Sequence, residues 1–350
     1  MSKAGPAPIR AICQAGAVCC LWLSCIGAGP ETLESKDDAQ EFEAIRRGDL
    51  IVAGIGWRLA SANASLCDRL EPGTGMQLHT LDQFDTADRA KAHKHFGFAT
   101  EIAIEGIVPG SPAERAGLRQ DDSLVRIGAV TVASIPGKPV TTDRLVAAQL
   151  AIAALPPESP IEVEVLRAGV TVQATVQPVP ACKSRFEMQS GDVAGADGEM
   201  VRIGSKFVED YPEDQIAAML AHEFSHNILR HRDRLQARGV SYGLLSGLGG
   251  NTKYFRQTEL QADLLSVYLL NNAGYSMRAS IAFWRRFGPS GLGGIFRSRS
   301  HPDWRDRVAT LEREIARIEP ISRRPIIPEL VSERDSPLDG NWEALTVRHR

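Results

Sequence analysis

The sequence predicts an α+β protein, a mainly helical domain with a small edge sheet and, looped out before it, a β-rich domain. Two observations carry this. Apolar residues recur at helical spacing from Pro212 to about Arg234, and again from Thr258 onward through Leu264, Leu265, Tyr268 and Leu269. Before them, residues 96–178 alternate short β-type segments with Gly- and Pro-containing turns.

With 350 residues, 43% of them hydrophobic and 24% charged, the chain can form about two domains beyond an N-terminal segment. A net charge of −3 gives no electrostatic case for nucleic-acid binding. Residues 1–29 read as an export signal: Lys3 and Arg10 supply a basic start, Ala11 to Gly29 is apolar and small, and cleavage falls near Ala28. Two other readings stay open. Leu23-Ser24 before Cys25 suits lipid attachment at that cysteine, although Trp22 does not. A run of about 20 apolar residues can also serve as an uncleaved anchor. Each reading makes the protein exported, periplasmic or envelope-associated, and the lipid and anchor readings add membrane contact through its N-terminus.

Residues 30–95 read as an N-terminal segment packed on the helical domain. Positions 31–48 are charged, a linker or short helix, and Leu50 to Leu59 has the look of a strand. His79, His93 and His95 read as ordinary polar residues, because nothing near them completes a ligand set. Four of the six cysteines lie within the first 25 residues, which leaves Cys67 and Cys182 as the candidate disulfide in an oxidising compartment. Two buried thiols are the other reading.

The β-rich unit, 96–178, centres on Gly106-Ile107-Val108-Pro109-Gly110-Ser111-Pro112-Ala113-Glu114-Arg115-Ala116-Gly117-Leu118, followed by Asp121-Asp122-Ser123-Leu124-Val125-Arg126-Ile127-Gly128. A strand, a turn of small residues, one helical turn and a second strand explain this order. The stretch resembles a PDZ domain, whose mark is an S-P-A-x-x-A-G-L turn followed by G-D-x-I; Asp121 stands where most members have glycine. The resemblance implies that extended C-terminal peptides bind at a sheet edge. Phe96-Gly97-Phe98 resembles the loop that grips the peptide carboxylate, and equally an apolar strand end.

The helical domain spans 179–320. Glu199 to Gly204 reads as a strand at the lower edge of a cleft, where a substrate backbone can add. The next helix carries His222-Glu223-Phe224-Ser225-His226, an H-E-x-x-H motif. Two histidines four apart share one helix face and can reach one zinc ion, and Glu223 between them suits a general base for the attacking water. A spacing in which residue 232 supplies a third histidine ligand fails, since Arg232 stands there; His231, one residue earlier, reads as an exposed helix-end base. A carboxylate from a later helix fits instead. Glu259 and Asp263 share a face at i, i+4, so Glu259 can be the third ligand and Asp263 can fix a ligating histidine's tautomer.

H-E-x-x-H, then E-x-x-x-D at Glu259 and Asp263, then Ser300-His301-Pro302 with Arg307, resembles the HtpX and CAAX-prenyl-protease family of gluzincins over about residues 185–318. Val193 departs from the asparagine that often opens the turn before the edge strand. The resemblance implies one zinc ion held by His222, His226 and Glu259, with Glu223 as base. It implies endopeptidase action on misfolded or membrane-associated proteins. His301 and Arg307 are expected at the cleft, His301 as an oxyanion partner or, equally, as a helix cap. A competing expectation is a binding or chaperone-like protein in which the PDZ unit is the active part and the zinc is structural. Residues 239–251 read as a glycine-rich segment, either a plain connector or a mobile loop near the cleft, and 321–350 as a loose tail.

Overall fold

The computed structural model describes residues 36–240, 251–290 and 301–347. The segment 1–29, Cys25 and most of the 239–251 loop lie outside the described residues. No helix among the described residues is long and apolar enough to cross a membrane.

The first element is a helix, α1 (Lys36–Ala62), which runs straight through the segment whose composition predicts a strand. The period explains the difference. Val52, Ile55, Leu59 and Ala60 are the buried positions, one face of a 3.6-residue repeat. Gly56 lets the Phe186 ring lie against this helix: a Cβ there would fall 2.4 Å from the ring.

The chain continues through β1 (Leu70–Gly73), β2 (Met76–Thr80), α2 (Arg89–Phe96), β3 (Ile102–Ile107), α3 (Pro112–Arg115), β4 (Ser123–Ile127), β5 (Val130–Thr131), α4 (Asp143–Ala153), β6 (Ile161–Arg167), β7 (Val170–Val176) and β8 (Val179–Cys182). Strands pair in the order β2-β3-β4-β6-β7, with β5 also on β4, and every pair is antiparallel. Ile102, Ile104, Leu124, Val163 and Val165 fill the core of this sheet, together with Ala113 and Leu118 from the turn region. Ser111 accepts from the Glu114 amide and caps α3. Asp121 has φ +66°, a conformation that glycine adopts without cost and aspartate tolerates, and Arg46 of α1 donates to it at 2.6 Å.

The sheet begins before residue 96, since β2 is its first strand. Phe96, Gly97 and Phe98 do not form a rim. Phe96 and Phe98 are buried with Phe42 of α1, Ala92 and Ala103, and Gly97 ends α2 in the left-handed conformation. Their aromatic character serves this small core.

β1 and β8 pair antiparallel as a stem beneath the sheet. Cys67 and Cys182 are joined by a disulfide at a Cα separation of 5.5 Å. The β-rich unit is thus a closed loop on the helical domain.

Beyond the stem come β9 (Arg185–Gln189), β10 (Ala194–Ala196), β11 (Met200–Gly204), α5 (Ser205–Asp210), α6 (Glu213–Ile228), α7 (His231–Ala237), α8 (Thr252–Asn272), α9 (Arg278–Phe287) and α10 (Trp304–Ile318). Their sheet has the order β10-β11-β9. The strand expected at the cleft edge, β11, is therefore paired on both sides, and β10 is the edge instead. Residues of α1, α6, α8, α9 and α10 share one apolar core.

The segment after 321 is tied down rather than loose. Val331 and Leu338 are buried. Arg234 donates to the Ser336 carbonyl, the Gly340 amide donates to Gln257, and the Val347 amide donates to Thr310. These are side-chain to backbone bonds, which composition does not reveal.

Removing the disulfide frees a loop of 115 residues in the unfolded chain. A Cys67→Ala/Cys182→Ala chain is expected to lose about 4–5 kcal/mol in denaturant unfolding, the size given by loop-closure entropy. Equal stability, or alkylation of both cysteines in the unreduced wild type, would contradict the closed stem.

Candidate metal centre

α6 starts with Glu213 and Asp214, which complement the positive end of its dipole. Ile216, Leu220, Phe224 and Ile228 are buried along it. The helix is shorter than the periodicity predicts. It ends at Ile228, and Arg230, at φ +51°, turns the chain before α7 begins.

His222 and His226 present their Nε2 atoms 3.4 Å apart. α8 packs alongside and brings Glu259, whose carboxylate lies 3.5 Å from His222 Nε2 and 3.7 Å from His226 Nε2. Ligand atoms of these three residues all lie within 4.8 Å of one another. Glu223 is half-buried next to His222. Its negative charge is among those that keep Arg307 protonated.

α10 supplies Arg307, which is almost fully buried. It donates to the two Asp263 oxygens at 2.5 and 2.7 Å, and its Nη1 lies 3.4 Å from Glu259. The guanidinium sits over the Trp284 ring of α9 at 3.6 Å. Asp263 is 3.1 Å from His222 Nδ1. His301 Nε2 is 3.6 Å from Glu259, so a residue three positions before α10 reaches the cluster.

Burial opposes charge on every group here, and partners decide the outcome. Burial raises the Glu259 and Asp263 carboxyls, but neighbours outweigh it: His301, His222 and Arg307 hold Glu259 well below the carboxylate range, while Arg307 and His222 lower Asp263. His222 is disfavoured as a cation by burial, yet hydrogen bonds to Asp263 and Glu259 push it up to about 9. His226 lacks such bonds, and burial takes it down to about 4.

Glu259 and Asp263 share the Arg307 guanidinium, and the Nε2 atoms of His222 and His226 converge on the Glu259 carboxylate. A divalent cation there would take the place of the proton that His222 otherwise carries. Two nitrogen donors and one carboxylate oxygen are the donor set of many hydrolytic zinc sites. The residues present therefore fit zinc.

The edge strand is fixed to this helix. Asn227 of α6 accepts from the Gly198 amide, in the β10–β11 turn, at 2.7 Å and donates to Ser184 at 3.0 Å.

One residue lies where the sequence did not put it. His231 is fully buried, with its Nδ1 2.9 Å from His226 Nδ1. On a straight helix a residue five positions on points about 140° away. The left-handed Arg230 brings it back. Gln261, on α8 between Glu259 and Asp263, faces the far nitrogen of His231 at 3.2 Å. The sequence signal for His231 was an imidazole at a position that a continuous helix would expose, and for Gln261 an amide two residues after Glu259 on α8.

Residues 240–315 match the model of Peptidase family M48. The match spans α8, α9 and most of α10, and so holds Glu259, Asp263, His301 and Arg307 but not the H-E-x-x-H helix. The M48 match supports a metallopeptidase, a hydrolase acting on proteins or peptides. M48 peptidases are typically zinc-dependent, in keeping with the donor set. A search of curated proteins finds no match to the chain.

Replacing Arg307 by Met leaves two buried carboxylates without their cation. Unfolding free energy is expected to fall by roughly 3–5 kcal/mol. The lowered carboxyl pKa values also give a sign: their stabilisation is present above about pH 4 and is lost as pH falls through the folded-state values. An Arg307→Met chain as stable as wild type at pH 7, measured by urea titration, would contradict this account.

Proposed function

We propose that this chain is a zinc-dependent endopeptidase of the cell envelope, in which His222, His226 and Glu259 hold the metal and Glu223 is the general base. The observation that carries it is the meeting of three donor groups from α6 and α8 with a fourth, separate carboxylate on the same turn as the histidines. A purely structural metal site has no use for that carboxylate.

When bound, zinc polarises the scissile carbonyl and acidifies a water molecule. Glu223 takes that proton and later delivers it to the leaving amine. Asp263 orients His222 through Nδ1, and Arg307 holds Asp263 and Glu259 in place. His301, beside Glu259 and partly exposed, stands ready to donate to the oxyanion. The substrate backbone adds to the edge strand β10, with exposed Val193 just before it.

The β-rich unit acts as a PDZ-type recruiting module. Its groove lies along β2 rather than at Phe96-Gly97-Phe98. Among the described residues β2 pairs on one side only, and a cleft beside it is lined by Met76, Leu78, Gln149 and Ile152, with Trp57 and Phe186 opposite. An extended chain end placed there would meet the helical domain at once. The disulfide accords with an exported setting.

Glu223→Gln is expected to bind one zinc per chain, as wild type does, while casein cleavage falls at least a hundredfold. Casein turnover at the wild-type rate in that variant, or cleavage by wild type that survives full zinc chelation, would remove this mechanism.

A further inference from the structure

We propose that Glu333, acting through Gln261 and His231, sets the tautomer of His226 and so which of its nitrogens is offered to the metal. This deepens the proposed function and rests on its reading of His226 as a ligand.

Three hydrogen bonds connect Glu333 to His226. Gln261 Nε2 donates to Glu333 Oε2 at 2.9 Å. Gln261 Oε1 faces His231 Nε2 at 3.2 Å, and His231 Nδ1 faces His226 Nδ1 at 2.9 Å. Arg234 Nη1 also donates to Gln261 Oε1, at 3.2 Å. His231 and Gln261 are fully buried, so water does not compete for the bond between them, while Glu333 receives the Gln261 amide from the exposed side.

The direction of each bond follows from chemistry at the two fixed ends. A carboxylate only accepts and a guanidinium only donates. Glu333 therefore takes the Gln261 amide NH2, and Arg234 takes its oxygen, so the amide cannot be flipped. The oxygen turned to His231 can only accept, which puts a proton on His231 Nε2. His231 is fully buried, its partners are a neutral amide and an imidazole, and the Arg234 cation sits on the same amide oxygen, so an uncharged ring fits this geometry. Its Nδ1 is then a lone pair that accepts from His226 Nδ1–H. His226 Nε2 is left unprotonated, and it is the nitrogen turned toward Glu259 and His222 Nε2.

His222 has a shorter support, since the acceptor-only Asp263 stands 3.1 Å from its Nδ1. The two ligands thus have unlike supports. One is a carboxylate on α8, inside the matched family region. The other runs out to residue 333, beyond that region and in the segment whose composition predicts a loose tail. Arg230 with Asp335, and Arg234 with Ser336, hold this segment against α7. The C-terminal segment is a positioning strap for the metal centre.

The test uses the full chain, with Zn2+ alone as the probe. Side-chain 1H–15N correlation spectra read the His226 tautomer, and competition with a chromogenic chelator reads zinc affinity. His226 is expected as the Nδ1–H tautomer in wild type, with and without zinc. Glu333→Ala and Gln261→Leu should each bring in the Nε2–H tautomer in zinc-free protein and weaken zinc binding by about ten- to a hundredfold. Glu333→Gln, which keeps an acceptor, should restore both readouts, which a general loss of packing would not explain. An Nε2–H tautomer in zinc-free wild type overturns the proposal, and needs no variant to fold. So does a Glu333→Ala chain unchanged in both tautomer and affinity. If zinc binds and the tautomer is as stated but casein stays intact, the peptidase reading falls and this inference stands.

Discussion

Asp263 grips Arg307 in a pocket where both side chains are almost entirely removed from water. Much of the helical domain is arranged around that contact. Burying either charge alone would be expensive, so each element that contributes one must be held where the other can meet it. α8 carries the acid and α10 the base, Trp284 of α9 closes the guanidinium face, and the imidazoles of α6 fill the remaining side. One guanidinium faces two carboxylates, Asp263 and Glu259, and Glu259 lies where two histidine nitrogens converge. A cation at that point would offset the second carboxylate.

The two histidines of α6 differ in what stands behind them. His222 is backed by a charged acceptor and His226 by a neutral imidazole. Their opposite pKa displacements follow from this difference and not from depth of burial, which is similar for both. The strap beyond residue 321 belongs to the same design. It reaches the helices through polar contacts to Arg234, Gln257 and Gln261, so its order depends on the helices it supports.

Where spacing on one regular element carries the information, the sequence is readable. His222 and His226 on α6, and Glu259 and Asp263 on α8, each stand four apart, and helix geometry alone puts each pair on one face. The S-P-A turn and the strands after it were legible because small residues and prolines punctuate them. Reading failed where one residue leaves the regular path. Arg230 breaks the helix, and His231, expected in solvent, is buried beside His226. It failed too where composition and period disagree: Leu50-Ile51-Val52 has strand-forming residues, but burial follows the helical repeat of α1. Phe96 and Phe98 show the limit of a short motif, since two aromatics about a glycine suit a helix end over a small core as well as a groove. Contacts of the last thirty residues run through single side chains to distant backbone, and no local pattern announces them.

Everything assigned to this protein depends on a metal ion at one place. Anomalous diffraction at the zinc edge, from crystals grown with zinc, locates it directly. The account predicts one strong peak, bounded by Nε2 of His222, Nε2 of His226 and the Glu259 carboxylate. A well-ordered structure with no peak there, or with Glu259 turned away from the two imidazoles, would contradict it.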